Sequence, residues 1–408
     1  MPNTCLSAAT LRKKVAETID IFPWYRKYLR TEVEQIDSIL ELPFITSKML
    51  EEHYYNSFHL TGSCEVYETS GTSSGKRKKI FYSTEDETNY LRIRKGLYST
   101  FLSDESLKLV FSDMGTGHAA STAKEIFESL GFAFECVTYD TPIIQQIKRL
   151  RELKPDILYT MPSLLDNLIK NSDDVLHYQI KKIILVGEIA TSEWIKRIAQ
   201  RFQISCSDIL DTYGSIEIGT ISTFNHSYNC YVIQKDLFAE GINAEDLEEG
   251  FLQLPNGESV LVLTSFVRKT FPSIRFVTYD VVKNLRRQMI DGEERTVFDY
   301  IVKRIGHEFK HGEKISLYDI ENVIYRFITT GEVRIRVVEN RITIEICSRE
   351  LNDTLLHSIY EEIQKAVPQI GEMVACGKLD PIQIRSISDE ELKFGQRKNK
   401  KLYTDYEK

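Results

Sequence analysis

Between residues 107 and 210, short apolar runs alternate with segments whose apolar residues recur every three or four positions. These are the signatures of buried strands and of one-sided helices. Residues 107–111 read as a strand and 113–118 as the turn after it. Ala119, Ala123, Ile126 and Leu130 fall on one helical face, which Gly131 brings to a stop. Residues 132–137 form the next strand. A helix through Ile147, Leu150 and Leu153 ends at Pro155, whose ring and missing N–H cannot continue it. Strands at 157–159 and 183–186 and helices at 164–169 and near 195–202 extend the alternation. Thr191 or Ser192 caps the last of these helices. Residues 204–210 lead into Asp211.

Such alternation predicts an α/β fold, a doubly wound parallel sheet covered on both faces. Ligands of these sheets bind at the carboxyl ends of the strands, so the turns at 113–118, 187–190 and 211–217 should share one rim. After about residue 249 the pattern turns β-rich. Residues 251–254 and 260–263 flank Pro255-Asn256-Gly257, a hairpin signal, and strand-like stretches follow at 274–282 and 296–302. The last hundred residues read as a small α+β unit, with a hairpin of 333–338 and 342–347 around Glu339-Asn340 and a helix over 355–366. At 408 residues the chain exceeds what one core usually supports. The expected division is a large N-terminal domain, 1–303, with the doubly wound sheet plus a β-rich subdomain, and a small α+β C-terminal domain, 304–408.

Composition excludes more than it adds. A net charge of −8 argues against nucleic-acid binding, which depends on an excess of cations. Two basic runs, 76–79 and 397–401, stand out in this acidic chain and suit a small anionic ligand. The seven cysteines include no Cys-x-x-Cys pair, which fits reduced thiols. His226 and Cys230 make half a metal site with no second pair nearby, so zinc is not expected. Nothing reaches the length of a membrane span and no cleavable leader is visible, so the expectation is a cytoplasmic protein with no membrane partner.

The most chemistry is concentrated in residues 69–79, Thr-Ser-Gly-Thr-Ser-Ser-Gly-Lys-Arg-Lys-Lys. Gly71 and Gly75 let the backbone approach an anion and turn its N–H groups toward it. Thr69, Ser70, Thr72 and Ser73 add hydroxyl donors, and Lys76 begins the run of charge. The loop is not a Walker A motif: three residues separate the glycines where that motif has four, and Arg77 follows Lys76. It suits a nucleotide triphosphate that must later release pyrophosphate.

Further segments fall into a known order. Residues 21–25 (Ile-Phe-Pro-Trp-Tyr) and 42–48 (Leu-Pro-Phe-Ile-Thr-Ser-Lys), the loop at 69–79, Gly187-Glu188, residues 211–217 (Asp-Thr-Tyr-Gly-Ser-Ile-Glu), residues 275–280 (Arg-Phe-Val-Thr-Tyr-Asp), the stretch from Arg304 to Gly312 and residues 398–402 (Lys-Asn-Lys-Lys-Leu) succeed one another. Over nearly its whole length the chain resembles the adenylate-forming (acyl/aryl-CoA synthetase) superfamily and, within it, the phenylacetate–CoA ligase-like branch. The resemblance implies ATP and Mg²⁺ as cofactors, an N-terminal domain that binds AMP and the acid, and a mobile C-terminal lid.

Roles follow from the same resemblance. The loop 69–76 would hold the β- and γ-phosphates. Gly187-Glu188 corresponds to the adenine-binding turn, and Tyr213, in the motif with Asp211, Thr212 and Gly214, would offer its ring to the adenine. Glu217 would hold Mg²⁺. Asp280 would accept the ribose hydroxyls, with Arg304 assisting. Lys398, with Lys400 and Lys401 as neighbours, would bridge carboxylate and α-phosphate during adenylation, stabilising charge where it develops. Phe111, Met114, Tyr159, Met161 and Tyr213 would line a flat apolar pocket for an aromatic acid, with His118 at its edge.

The expected activity is therefore ATP-dependent formation of an acyl-adenylate and pyrophosphate. Rotation of the C-terminal domain about 304–312 would then present a thiol, from coenzyme A or from the phosphopantetheine of an acyl or aryl carrier protein. The alternatives are an amide-forming synthetase that passes the acyl group to an amine, and a non-catalytic nucleotide-binding protein. Three departures from the family pattern stand out. Ile216 replaces a Ser or Thr, Tyr279 replaces the glycine before Asp280, and Arg77 replaces a proline.

Overall fold

A computed structural model describes residues 7–55, 57–58, 64–68, 78–114, 118–138, 141–247, 253–305, 317–338, 341–375, 377, 379–392 and 402–404. The chain forms two compact units: residues 1–100 with 214–299, and residues 101–213 with 300–408.

The chain opens with helices α1 (Ala8–Ile21) and α2 (Ser47–His53), a hairpin of β1 (Cys64–Glu68) and β2 (Lys79–Ser83), and α3 (Thr84–Phe101). The alternating region follows as β3 (Leu109–Ser112), α4 (His118–Ser129), β4 (Ala133–Cys136), α5 (Ile143–Leu153), β5 (Ile157–Thr160), α6 (Pro162–Lys170), β6 (Lys182–Leu185), α7 (Ser192–Phe202) and β7 (Ile209–Ser215). Its strands are parallel in the order β4-β3-β5-β6-β7. Burial on both faces explains the apolar runs of β3, β5 and β6, while β4, at the end of the sheet, is only partly buried. Phe111 and Leu158 belong to the core formed with Leu165, Trp194 and Ile198 of α6 and α7. Tyr159 points to the other face, against Phe127 of α4. Thr191 caps α7, its side chain accepting from the Trp194 N–H at 3.3 Å.

Next come β8 (Gly219–Asn225), β9 (Cys230–Ile233), β10 (Leu237–Ile242), β11 (Glu258–Ser265), β12 (Phe276–Lys283), β13 (Arg286–Ile290) and β14 (Glu293–Phe298). In the first unit β13, β14, β9 and β8 form one antiparallel ribbon, and β10, β11 and β12 another. One expectation is corrected here. Gln253 and Leu254 lie in no strand, and β11 pairs with β10 and β12 instead; residues 251–252 fall outside the described residues. A local turn signal was outweighed by cross-strand packing, which decides strand pairing. Gly257, at φ +80°, still makes a turn, leading into β11.

The C-terminal part contains β15 (Ile301–Arg304), α8 (Leu317–Phe327), β16 (Glu332–Val338), β17 (Arg341–Cys347), α9 (Asp353–Ala366), α10 (Pro368–Ala375), β18 (Gln383–Ser386) and β19 (Leu402–Thr404). The antiparallel pair β16–β17 is flanked by parallel β19 and β18. Ile320, Ile324, Ile335, Ile344 and Ile359 join the core of α6 and α7, so one apolar core runs from these helices into the C-terminal part. Among the described residues no helix is long and apolar enough to cross a membrane.

Candidate active site

Strand register builds the rim. Ser112 lies opposite Tyr159, Thr160 opposite Leu185 and Leu185 opposite Asp211, so the carboxyl ends of β3, β5, β6 and β7 are level. Asp113 and Met114, Met161, Gly187 and Thr212 therefore share this edge. Five of its buried side chains are polar: Ser112, Asp113, Thr160, Asp211 and Thr212 are each less than a twentieth exposed, beside the buried apolar Met114, Met161 and Val186. Thr212 Oγ1 donates to the Leu185 carbonyl at 2.7 Å, tying β7 to the end of β6. Asp113 Oδ1 has no hydrogen-bond partner among the described residues. Burial pushes the Asp113 carboxyl up to about 7, against the opposing effect of a bond from the Thr160 side chain.

Gly187 takes φ +79°, which a residue with a Cβ rarely adopts. Glu188 follows, and its carboxylate accepts from the Ser163 N–H at 2.8 Å and from Ser163 Oγ at 2.7 Å. Ser163 lies in the first turn of α6, whose unpaired N–H groups favour an anion. This fixes the 187–188 turn to α6, so any contribution to an adenine site comes from the turn itself. His118 is buried at the start of α4. Phe111 and Tyr159, expected to line an acid pocket, are fully buried in the layers on opposite faces of the sheet, and the Tyr159 hydroxyl donates to the Ala119 carbonyl at 3.3 Å. Both pack the fold. Met114 and Met161 lie at the rim, and Tyr213 is half-buried on β7.

In the first unit a second constellation holds the turn that carries Glu217. The Tyr82 hydroxyl donates to the Ile216 carbonyl at 2.8 Å and Arg268 Nε to the Glu217 carbonyl at 3.0 Å. Ile218 N–H donates to Ser215 Oγ at 3.3 Å. At Gly214 a Cβ would lie 2.6 Å from the Gly219 carbonyl oxygen, so the two arms of the turn close only around glycine. Arg268 is 3% exposed and stacks over the Tyr82 ring at 3.7 Å. It also donates to Asp86 Oδ2 at 2.5 Å and to the Phe81 carbonyl at 2.6 Å. Asp86 in turn accepts from the Lys269 and Thr270 N–H groups at 2.7 and 3.0 Å, and these bonds with Arg268 hold its carboxyl below the usual range despite burial. Arg268 and Tyr82 carry no motif, and sequence reading did not find them.

Asp280 is half-buried on β12, its N–H bonded to Thr278 Oγ1 at 3.1 Å. The residue before it, Tyr279, sits at φ +62°. Its hydroxyl accepts from Ser47 N–H and Ser47 Oγ, each at 3.2 Å. Arg275 is committed to structure: it pairs with Glu240 at 2.8 Å and donates to the Leu42 carbonyl at 2.7 Å. Arg304 is exposed at the end of β15. The loop 69–76, Lys398 and most of the 304–312 segment lie outside the described residues. No group of three or more His, Cys, Asp or Glu able to hold a metal occurs among the described residues.

The parallel layer with its carboxyl-end rim and the appended α+β part have the fold of the adenylate-forming ligases. The 2-hydroxyisobutyryl-CoA ligase solved in the postadenylation state with 2-HIB-AMP matches with a TM-score of 0.73 at 14% identity, over 98% of this chain and 88% of that one. ATP-bound MatB from Rhodopseudomonas palustris matches with a TM-score of 0.51 at 12% identity, over 78% and 63%. Residues 310–389 match the family described as the fumarate–diaminopropanoate ligase C-terminal domain. The fumarate–(S)-2,3-diaminopropanoate ligase of Enterobacter agglomerans is 36% identical over 376 residues, 91% of this chain and 93% of that protein. The chain belongs to the fumarate–diaminopropanoate ligase family of adenylate-forming enzymes.

Proposed function

We propose that the protein is an ATP-dependent, AMP-forming ligase that activates a small polar carboxylic acid, fumarate or a near analogue, and passes the acyl group to the amine of a diamino acid. The observation that carries this reading is 36% identity, spread over nine-tenths of the chain, to a ligase that joins those two substrates. Two features of this chain support it. The rim carries five buried polar side chains, Ser112, Asp113, Thr160, Asp211 and Thr212, and Phe111 and Tyr159 are buried against apolar neighbours on opposite faces of the sheet. That favours a small polar acid over an aromatic one.

Adenylation would use the loop 69–76 for the β- and γ-phosphates, the 187–188 turn and Tyr213 for adenine, Asp280 with Arg304 for ribose, and a lysine at 398–401 for the α-phosphate. Glu217 would supply one carboxylate to Mg²⁺. A lone acidic residue on a fixed turn fits an ion held chiefly by phosphate oxygens and water, and the bound ion would offset phosphate charge. Residues 304–408 would then turn as a body to open the adenylate to the acceptor.

The test is ATP–pyrophosphate exchange with fumarate, succinate, maleate, benzoate and phenylacetate. Acceptors are then offered in competition: (S)-2,3-diaminopropanoate against coenzyme A, with products weighed by mass spectrometry. Exchange with fumarate and an amide product support the reading. Exchange with benzoate or phenylacetate alone and a thioester product would replace it with an aryl acid–thiol ligase. ATP binding without exchange for any acid would point to a non-catalytic protein.

A further inference from the structure

A cavity of about 310 Å³ opens at the carboxyl-terminal ends of α6 and α7, within the second unit and away from the rim. The helices start at the rim and run nine and eleven residues, so the cavity lies about 12–16 Å from it. Lys170 and Arg201 line one side, and Thr330, Cys347 and Arg349 the other; no carboxylate lines it. Arg201 Nε is buried with no hydrogen-bond partner among the described residues. Arg349 is exposed and has no ion-pair partner among them.

The surrounding carboxylates are already engaged. Glu332 pairs with Lys170 at 3.4 Å. Glu350 accepts from both the N–H and the hydroxyl of Thr329 and of Thr330, at 2.6–2.8 Å. The two helix ends offset part of the charge on Lys170 and Arg201, each bringing about half a negative charge. That leaves Arg349 and the buried Nε of Arg201 without an anion. Guanidinium groups match the spacing of phosphate oxygens, and the volume lies at the low end of the range for ligand pockets, about 300–1,000 Å³.

We infer that this cavity binds a phosphate dianion, free or as a small monoester, between Arg201, Lys170 and Arg349, at a site separate from the one that makes the adenylate. The anion would bridge the helices of the parallel layer and the turns flanking β16 and β17. Its occupancy would hold the C-terminal part against α6 and α7.

Cys347 gives a local reporter, because it lines the same cavity. The full chain is alkylated with iodoacetamide, with and without millimolar inorganic phosphate at matched ionic strength, and Cys347 is quantified by peptide mass spectrometry. Its thermal midpoint is recorded under the same conditions. Phosphate is expected to slow Cys347 modification at least threefold and to raise Tm above the chloride control, with both effects lost in Arg201→Gln. Arg349→Gln, at an exposed position, repeats the test should Arg201→Gln fail to fold. An unchanged Cys347 rate overturns the proposal, and so does protection that persists in the variants. If Cys347 resists alkylation in every sample, the Tm arm decides by the same criterion. Glycerol 3-phosphate in a parallel arm separates the sources: equal protection assigns a site open to monoesters, and protection by inorganic phosphate alone assigns the free ion.

Discussion

Tyr279 is the residue at which this chain departs most clearly from its superfamily's pattern, and the backbone shows why a glycine is usual there. At φ +62° an L-residue is strained by about 1–2 kcal/mol. Burial of the ring and the bonds from Ser47 offset that cost. Tyr279→Phe should keep the turn and lose about 1 kcal/mol, the net value of the lost hydrogen bonding. Tyr279→Gly should relieve the strain yet lose about 2–3 kcal/mol in all, because deleting a buried aromatic ring costs about 3–5 kcal/mol. Urea unfolding of the three proteins measures both, and a glycine variant more stable than the parent would remove the anchoring argument. Asp113 supplies a pH test. Its carboxyl is raised from the ordinary range to about 7 in the fold, so the folded state binds more protons than the unfolded chain between about pH 4 and 7. Stability must fall as pH rises through that window. Asp113→Asn should match the parent near pH 4 and exceed it above pH 7, by at most about 4 kcal/mol. Equal gains at both pH values would mean that Asp113 is ionised throughout. The oddity of Tyr279 was legible in the sequence; its φ was not. Asp113 could be read only as the first residue of a turn, because its isolation depends on what packs around it.

At the scale of elements, the alternating region was legible because its burial on both faces leaves continuous apolar runs and helical stripes. The caps and stops at Thr191, Gly131 and Pro155 were visible for the same local reasons. β10 was not legible, since Leu-Phe-Ala-Glu-Gly-Ile lacks a clean alternation and owes its state to β11. The motif at 211–217 could be found by its residues, but what holds it could not. Arg268 lies 51 positions away in sequence from the carbonyl it grips. Arg268→Met leaves Asp86 buried without its cation, and breaking such a pair costs about 3–5 kcal/mol. Arg268→Lys should recover only part of that, because an ammonium cannot reach Asp86, Phe81 and Glu217 at once. Tm values with hydrogen exchange at residues 215–218 check this. Fast exchange there in Arg268→Lys, with most of the Tm restored, would mark Arg268 as a positioning residue for the Glu217 turn. Unchanged exchange would confine it to general stability.

For the molecule as a whole, the proposed cycle asks residues 304–408 to move, and the structure shows what that motion must break. α8 lies along α7: Ser192 N–H donates to the Tyr318 hydroxyl at 3.3 Å, Glu193 N–H to Asn322 Oδ1 at 3.1 Å, and Arg197 to the Thr329 carbonyl at 3.0 Å. Arg197 itself is buried, paired with Asp166 and stacked on the Tyr325 ring at 4.5 Å. Beneath these bonds the apolar interior is continuous, so parting the two layers exposes it to water. Because the amino end of α7 is at the rim, this docked arrangement brings the start of α8 to the edge where adenylation is proposed. A covalent lock between α7 and α8 therefore separates the half-reactions. Ser192 Oγ and Asn322 Oδ1 are 3.4 Å apart, and the double variant Ser192→Cys, Asn322→Cys should join them on oxidation. The oxidised protein is expected to keep ATP–pyrophosphate exchange within about threefold and to lose at least about tenfold in acyl transfer, with reduction restoring transfer; a tenfold loss corresponds to about 1.4 kcal/mol on the barrier. Transfer at the parent rate in the oxidised form would show that the acceptor enters without the C-terminal part turning, and the two-position cycle would fall while the adenylation site stood.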